Sequence, residues 1–183
     1  ISIFLRKSSL DVVSLLLFIF KMAVHKVSLN EFEEVEYAII AMHTTVEDYR
    51  LAYFINKALN INLVKSPKDI LIHIKEGESF FSRYSYYDCK KDNTWHLIQN
   101  KNEITQNNAQ LKSNLFFDQN IEIAAQVYLI PEMKKTDYFL KIETCQSNFN
   151  SIKTVAALNT IEIINMVYSV KTETIKSKNN LIF

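Results

Sequence analysis

The alternation of apolar and polar residues along the chain predicts the same order of three elements twice. Residues 35–43, VEYAIIAMH, are almost continuously apolar, which is typical of a strand buried on both faces. Apolar side chains then recur at helical spacing as far as Asn60, a residue suited to ending a helix. Strand, helix and strand are therefore expected at 35–43, 44–60 and 61–64, and again at 137–143, 150–161 and 162–170.

The middle of the chain carries shorter and more aromatic patterns. Residues 69–75 alternate weakly, and residues 79–88 and 94–100 flank the polar stretch CKKDN, which predicts a β-hairpin. Within the first hairpin strand, Tyr84 and Tyr86 share a face because successive strand residues point to opposite sides.

A loop and a further strand are expected before the second repeat. Residues 101–120 are rich in Asn and Gln with little periodicity, so they predict a long surface loop. Residues 126–130 form the next predicted strand. Pro131 ends that strand because proline has no amide hydrogen to give to the ladder.

These elements together predict an α+β fold. Its sheet is mixed and mostly antiparallel, with two main helices packed on one face. The element order is that of ferredoxin-like or ACT-like domains, a comparison by analogy of order alone.

Composition excludes several classes of site. The chain of 183 residues has a single glycine, Gly77, and a glycine-rich phosphate-binding loop cannot be built from one glycine. Its two cysteines, Cys89 and Cys145, lie far apart, and neither His-x-x-x-His nor His-Glu-x-x-His occurs. We therefore expect no metal and no cofactor.

The first residues of the chain differ in character from the rest. Residues 12–20 are apolar but too short to span a bilayer, which takes about 20 residues. No A-x-A cleavage pattern follows them, and Met22 resembles an ordinary start. We expect residues 1–21 to be upstream reading frame, and residues 22–183 to be one cytoplasmic domain. Without the leader the formal net charge changes from +1 to −1, which in neither case favours nucleic-acid or membrane binding.

One group of candidate residues lies at the junction of the first strand and helix. An anion could bind there because free amides and the positive helix end meet. Alternatively, the acids serve the helix itself, since Thr44 with Glu47, or Thr45 with Asp48, matches a capping box. The candidate residues are His43, Glu47, Asp48 and Arg50.

A second group lies in residues 130–138, IPEMKKTDY, which we term the signature segment. Glu132 and Asp137 could present a carboxylate pair or a charged contact surface at a hairpin end. The architectural alternative has Asp137 accepting loop amides, Glu132 pairing with Lys134 or Lys135, and Tyr138 anchored in the core. Paired carboxylates that transfer protons need a pocket and perturbed pKa values, which a sequence alone does not show.

The signature segment resembles the motif of the IPExxxVDY family of small bacterial proteins, found largely in Bacteroidetes. The matching residues are Ile130, Pro131, Glu132, Asp137 and Tyr138, with Thr136 in place of the valine. Residues 47–53, EDYRLAY, and residues 176–183, KSKNNLIF, are similar to other parts of that family, so the resemblance covers about 22–183. The family is named for a motif and not for an activity, so the resemblance implies a cytoplasmic protein without assigning a reaction.

Three functions are ranked ahead of an enzyme, which comes last, and no catalytic residue is assigned. The leading hypothesis is a non-enzymatic module that binds a protein partner or itself, at the candidate residues above. The second is a small-ligand-binding regulatory domain of ACT-like type. The third is RNA binding through the aromatic residues 80–87, where core packing is the competing interpretation.

Overall fold

The computed structural model describes residues 37–74, 77–107, 122–144 and 149–183, all within one compact unit, Val35–Phe183. The strands in these ranges are β1 (Tyr37–His43), β2 (Val64–Lys65), β3 (Ile70–Ile74), β4 (Gly77–Phe81), β5 (Arg83–Asp88), β6 (Asn93–Gln99), β7 (Lys101–Asn107), β8 (Glu122–Tyr128), β9 (Tyr138–Thr144) and β10 (Met166–Val170). The α-helices are α1 (Asp48–Leu59) and α2 (Ser151–Leu158), and short 3₁₀ helices occur at Pro131–Met133, Thr172–Thr174 and Lys178–Leu181.

Six strands form the main sheet in the order β10-β1-β9-β6-β5-β2, and each described pairing is antiparallel. Two hairpins, β3–β4 and β7–β8, form separate two-stranded sheets. The predicted α+β class with a mostly antiparallel sheet is confirmed. Because β2 to β5 stand between α1 and β6, the element order is longer than the simple β-α-β-β-α-β order, and the ferredoxin-like comparison stays an analogy.

Both helices cover the same face of this sheet, as expected. Alternate residues of β1 and β9, such as Ile40 and Leu140, point to this face and meet Leu51 and Ile55 of α1 and Leu158 of α2. The aromatic strand contributes here too, since Tyr84 is buried and Tyr86 packs against the cluster. Core packing is therefore confirmed for Phe81, Tyr84 and Tyr86, whereas Phe80 and Tyr87 of the same stretch are 53% and 58% exposed.

The opposite face of the sheet is also covered. Ile39 and Phe139, one residue out of phase with the helix-side set, pack with Phe81 of β4, Val127 of β8 and Leu181 near the end of the chain. The central strands are therefore buried on both faces, which explains the nearly unbroken apolar run at β1.

The prediction of a loop at 101–120 is wrong for residues 101–107. Residues Lys101–Asn107 form β7, which pairs with β8 from Lys101↔Tyr128 to Asn107↔Glu122. Backbone pairing supports this strand despite its polar sequence, because strand formation depends on the neighbouring strand more than on intrinsic preference. Residues 108–121 lie outside the described residues, as does the expected leader at 1–21. No helix in the described ranges is long and apolar enough to cross a bilayer.

Candidate functional site

The signature segment folds around one buried side chain, Asn100, which lies between β6 and β7. Its Oδ1 accepts a hydrogen bond from the amide of Ile130 at 2.9 Å. Its Nδ2 donates to the carbonyls of Met133 at 2.9 Å and Thr136 at 2.8 Å. Asn100 has no solvent exposure, so these three bonds hold the path of the segment from inside.

Asp137 joins three separate parts of the chain. Its Oδ2 accepts the amide hydrogen of Thr44, after β1, at 3.0 Å, and its Oδ1 lies 2.5 Å from Nζ of Lys101 on β7. Its own amide donates to the carbonyl of Met42 at 3.1 Å. Asp137 thus accepts a loop amide, as the architectural alternative proposed, and the amide belongs to the connection between β1 and α1.

Tyr138 anchors in the core, as the architectural alternative proposed. Its ring is buried against the helix-side cluster, and its hydroxyl donates to the carbonyl of Val46 at 2.9 Å, just before α1. Burial is the main cause that raises the pKa of Tyr138, and the nearby charges of Asp48 and Asp137 raise it further. The phenol therefore stays protonated and keeps donating this bond.

Glu132 binds the end of the chain and not a neighbouring lysine. Its Oε1 accepts from the amide and the hydroxyl of Ser177, both at 3.0 Å, so the expected pairing with Lys134 or Lys135 is wrong. Burial alone would raise the pKa of Glu132, but hydrogen bonds from its own backbone and from Ser177 outweigh it, and the pKa is lowered. Pro131 occupies the first turn of the 3₁₀ helix, where its missing amide hydrogen costs nothing.

The signature segment therefore connects the two other segments that carry the family resemblance. Asp137 and Tyr138 hold the connection that leads into α1, directly before residues 47–53. Glu132 holds Ser177 of residues 176–183, which we term the tail segment. The tail segment is further fixed by Asn180, whose Nδ2 donates to the carbonyl of Leu129 at 2.7 Å.

Of the four candidates at the strand–helix junction, His43 and Asp48 contact different parts of the chain. Nε2 of His43 lies 3.4 Å from the hydroxyl of Tyr168 on β10, and the two rings are stacked at 5.7 Å. Asp48 accepts the hydroxyl of Ser82 and lies 3.8 Å from Nζ of Lys65. Arg50 is exposed on α1.

The predicted capping box is wrong. The N-cap of α1 is Glu47, and its side chain makes no capping bond. Thr44 instead donates its hydroxyl to the carbonyl of Ile163 at 2.7 Å and accepts the amide of Val46 at 3.3 Å. The threonine thus ties the junction to the segment before β10, a partner that local sequence cannot reveal.

An open groove of about 400 Å³ borders the signature segment. Pro131 to Thr136 line one side of it and Tyr168 lines the other. The hydroxyls of Thr136 and Tyr168 are 3.3 Å apart within it, and Lys134 and Lys135 are both exposed at its rim. The lining thus combines two lysines with the acid Glu132 and the apolar Pro131 and Met133.

Sequence reasoning missed a polar cluster on the sheet face opposite the helices. Nδ1 of His96 lies 2.9 Å from the hydroxyl of Ser85, and its Nε2 lies 3.8 Å from Glu143, whose carboxylate also binds Lys141. Burial is the main cause that lowers the pKa of His96 to about 4, and Lys141 and Arg83 lower it further against the opposing effect of Glu143.

Serine, histidine and acid in this order resemble a hydrolytic triad, but the histidine is a poor base. A general base works best with a pKa near the operating pH, and at a pKa of about 4 His96 has little tendency to take a proton from Ser85. The signal that could have found the cluster is the register Ser85↔His96↔Lys141, which only the strand pairing supplies.

Within the described residues no group of three or more His, Cys, Asp and Glu side chains is placed to hold a metal ion. Cys89 is an exposed thiol. Comparison of the chain with protein-family models, with curated proteins and with solved structures finds no match in any of the three.

Proposed function

We propose that this protein is a non-enzymatic module that binds a protein partner, and that its contact surface includes the outer face of α1. The proposal agrees with the contacts that the polar residues of the signature segment make. Asp137, Glu132 and Tyr138 all bond to other parts of their own chain, so their polar atoms serve the fold first. Membership of the IPExxxVDY family and a cytoplasmic location are part of the same proposal and rest on the sequence resemblance.

The observation that carries the proposal is a pair of exposed tyrosines on α1. Tyr49 and Tyr53 are 58% and 63% exposed, and a spacing of four residues puts them on one side of the helix. The buried side of α1 is formed by Leu51, Ala52 and Ile55, so the tyrosines are not needed for its packing. On the second helix, Ile152 is exposed as well.

Exposed tyrosines of this kind are suited to a protein interface. A tyrosine brings a large apolar ring and a hydrogen-bonding hydroxyl at a small cost in side-chain entropy, and tyrosine is enriched among residues that dominate binding energy. Truncation of such a residue costs about 2 kcal/mol or more when it lies in the centre of an interface. Two of them on one helix turn could therefore supply much of the affinity for a partner.

The test is an affinity purification with matched variants. The full chain, the double variant Tyr49→Ser/Tyr53→Ser and the control Tyr87→Ser are each used to capture partners from native lysate. Tyr87 is 58% exposed and lies on β5, away from the helices, so it controls for the loss of an exposed tyrosine. We expect one reproducible partner with the unmodified chain and the control, and its loss with the double variant. No reproducible partner together with a monomeric mass, or a partner that the double variant retains, would argue against the proposal.

A small-ligand-binding regulatory domain is a second candidate, supported by the groove at the signature segment. Its volume of about 400 Å³ lies in the range of small-molecule sites, and its rim lysines suit a negatively charged metabolite. A thermal-shift screen tests this candidate, because a ligand at 100 times its dissociation constant adds about 2.7 kcal/mol to stability. A response that Lys134→Gln/Lys135→Gln abolishes would support it, and a flat response across anionic metabolites would remove it.

A further inference from the structure

A row of polar residues crosses the sheet face opposite the helices. Ser85, His96 and Lys141 are cross-strand neighbours on β5, β6 and β9, and Arg83 follows on the same face because it is two residues from Ser85. Lys141 is only 5% exposed, which is unusual for lysine. We term Arg83, His96 and Lys141 the basic cluster.

Among the ion pairs of the described residues, one acid, Glu143, contacts the basic cluster, which carries the two cations Arg83 and Lys141. Glu143 is the acid in contact, and its carboxylate binds Nζ of Lys141. Arg83 makes no ion pair with any described residue, and its Nε is buried without a hydrogen-bond partner. A buried guanidinium nitrogen has lost its hydrogen bonds to water, and here no protein acceptor replaces them. An oxygen of an anion could accept that hydrogen bond.

One side chain of the tail segment covers the basic cluster. The ring of Phe183 lies 4.4 Å from the guanidinium carbon of Arg83 and 4.9 Å from Nζ of Lys141. It meets the ring of His96 edge-on at 5.0 Å. Phe183 is still 43% exposed, so its ring lies at the surface over these three side chains.

We propose that the basic cluster is a binding site for an oxyanion, the phosphate or carboxylate group of a small ligand, and that this ligand displaces the ring of Phe183. The guanidinium of Arg83 presents donors in a planar fork that matches either group, and Lys141 adds a point charge beside it. The hydroxyl of Ser85, which bonds to His96, lies in the same row. The site is on the other face of the sheet from α1 and does not depend on the function proposed above.

The edge-on contact between Phe183 and His96 gives a direct readout. An aromatic ring at this distance shifts the NMR signals of the histidine ring, and the chain has only four histidines. The His96 signal can be assigned by its loss in His96→Gln. The Phe183→Ala variant then gives the position of that signal when the phenyl ring is absent.

The experiment titrates the full chain with sodium phosphate and, separately, with sodium acetate, at constant ionic strength maintained with sodium chloride. We expect one of the two anions to move the His96 signal of the unmodified chain towards its position in Phe183→Ala. A response to phosphate assigns the site to a phosphate-bearing ligand, and a response to acetate alone assigns it to a carboxylate. No movement with either anion at tens of millimolar would overturn the proposal.

Variants separate binding from general damage to the fold. We expect Phe183→Ala to bind the responding anion about threefold or more tightly, because the competing ring contacts with the cations are removed. Arg83→Gln should weaken binding about tenfold or more, since it removes a charge-assisted partner. Arg83→Lys should bind with an affinity between those of Arg83→Gln and the unmodified chain. Lys153→Gln, the same charge change on α2, is the control and should bind as the unmodified chain does. Equal binding by Arg83→Gln and the unmodified chain would also overturn the proposal.

Discussion

Replacing Asn100 by alanine is predicted to be among the most destabilising single changes in the protein, although Asn100 carries no charge and lies in no motif. The side chain has no solvent exposure and makes three hydrogen bonds to the backbone of the signature segment. The alanine variant leaves the amide of Ile130 and the carbonyls of Met133 and Thr136 without these partners.

The magnitude follows from the number of bonds. Each net hydrogen bond contributes about 0.5–1.5 kcal/mol, and a buried group left unsatisfied costs about 1–3 kcal/mol. Three such bonds, two of them at buried positions, give an expected loss of about 3–5 kcal/mol. That is a large part of the roughly 5–15 kcal/mol by which a domain is stable.

Urea denaturation of the full chain measures this loss from the shift in midpoint at constant slope. Asn159→Ala, at an exposed position after α2, is the matched control and is expected to change stability by less than about 0.5 kcal/mol. Asn100→Asp should be destabilised as well, because an ionised carboxylate cannot donate to two carbonyls. It should recover stability as the pH falls, since protonation restores one donor and the folded-state pKa of this buried acid is expected to be raised. A loss below about 1 kcal/mol for Asn100→Ala would refute the reasoning.

Three further changes test the contacts described above. Tyr138→Phe should cost about 1 kcal/mol in the free energy of unfolding, because it removes only the hydroxyl bond to the carbonyl of Val46, and an unchanged urea midpoint would show that the bond is absent. Ser177→Ala removes the hydroxyl bond to Glu132, so limited proteolysis should cut the tail segment faster than in the unmodified chain; an equal rate would contradict its role in holding the tail. The pKa of His96 is lowered to about 4 on folding, so the unfolded chain binds more protons between pH 6.5 and 4, and stability should be lost as the pH falls through this window. His96→Gln should flatten the pH dependence of the urea midpoint in that window, and an unchanged dependence would assign it to other groups.

The parts of the fold that sequence predicts are those set by local periodicity. The apolar run of β1 and the position of α1 in the chain are correct because burial imposes a fixed spacing on each element. The apolar face of α1 is wrong at Tyr49 and Tyr53, which the helical spacing assigns to that face and which are exposed. Asn60 ends α1 in a left-handed conformation, with φ 53°, as its residue type indicates. Such features need no knowledge of distant partners.

The errors arise where a distant partner decides the outcome. Thr44 has the sequence context of a helix cap, but its hydroxyl bonds to Ile163, 119 residues away. The polar residues of β7 form a strand because β8 pairs with them. In both cases a long-range contact outweighs a weak local preference.

In the candidate site, too, local sequence predicts some features and distant partners decide the others. The signature segment was identified by residue types, but the partners Lys101 and Ser177 come from strands and turns that no local pattern connects to it. Asn100 gives no signal in a chain so rich in asparagine, and its role appears only once β6 and β7 place it beneath the segment. The basic cluster depends in the same way on the strand register.

The central claim is that the polar groups of the signature segment and its neighbours bind other parts of the chain, so that the segment holds the fold together. Amide hydrogen exchange at Thr44 and Ser177 measures this most directly, since these amides donate to Asp137 and Glu132. We expect both amides to be protected in the unmodified chain, Asp137→Ala to release Thr44 selectively, and Glu132→Ala to release Ser177 selectively. Fast exchange of both amides in the unmodified chain, or release of neither by these variants, would contradict the claim.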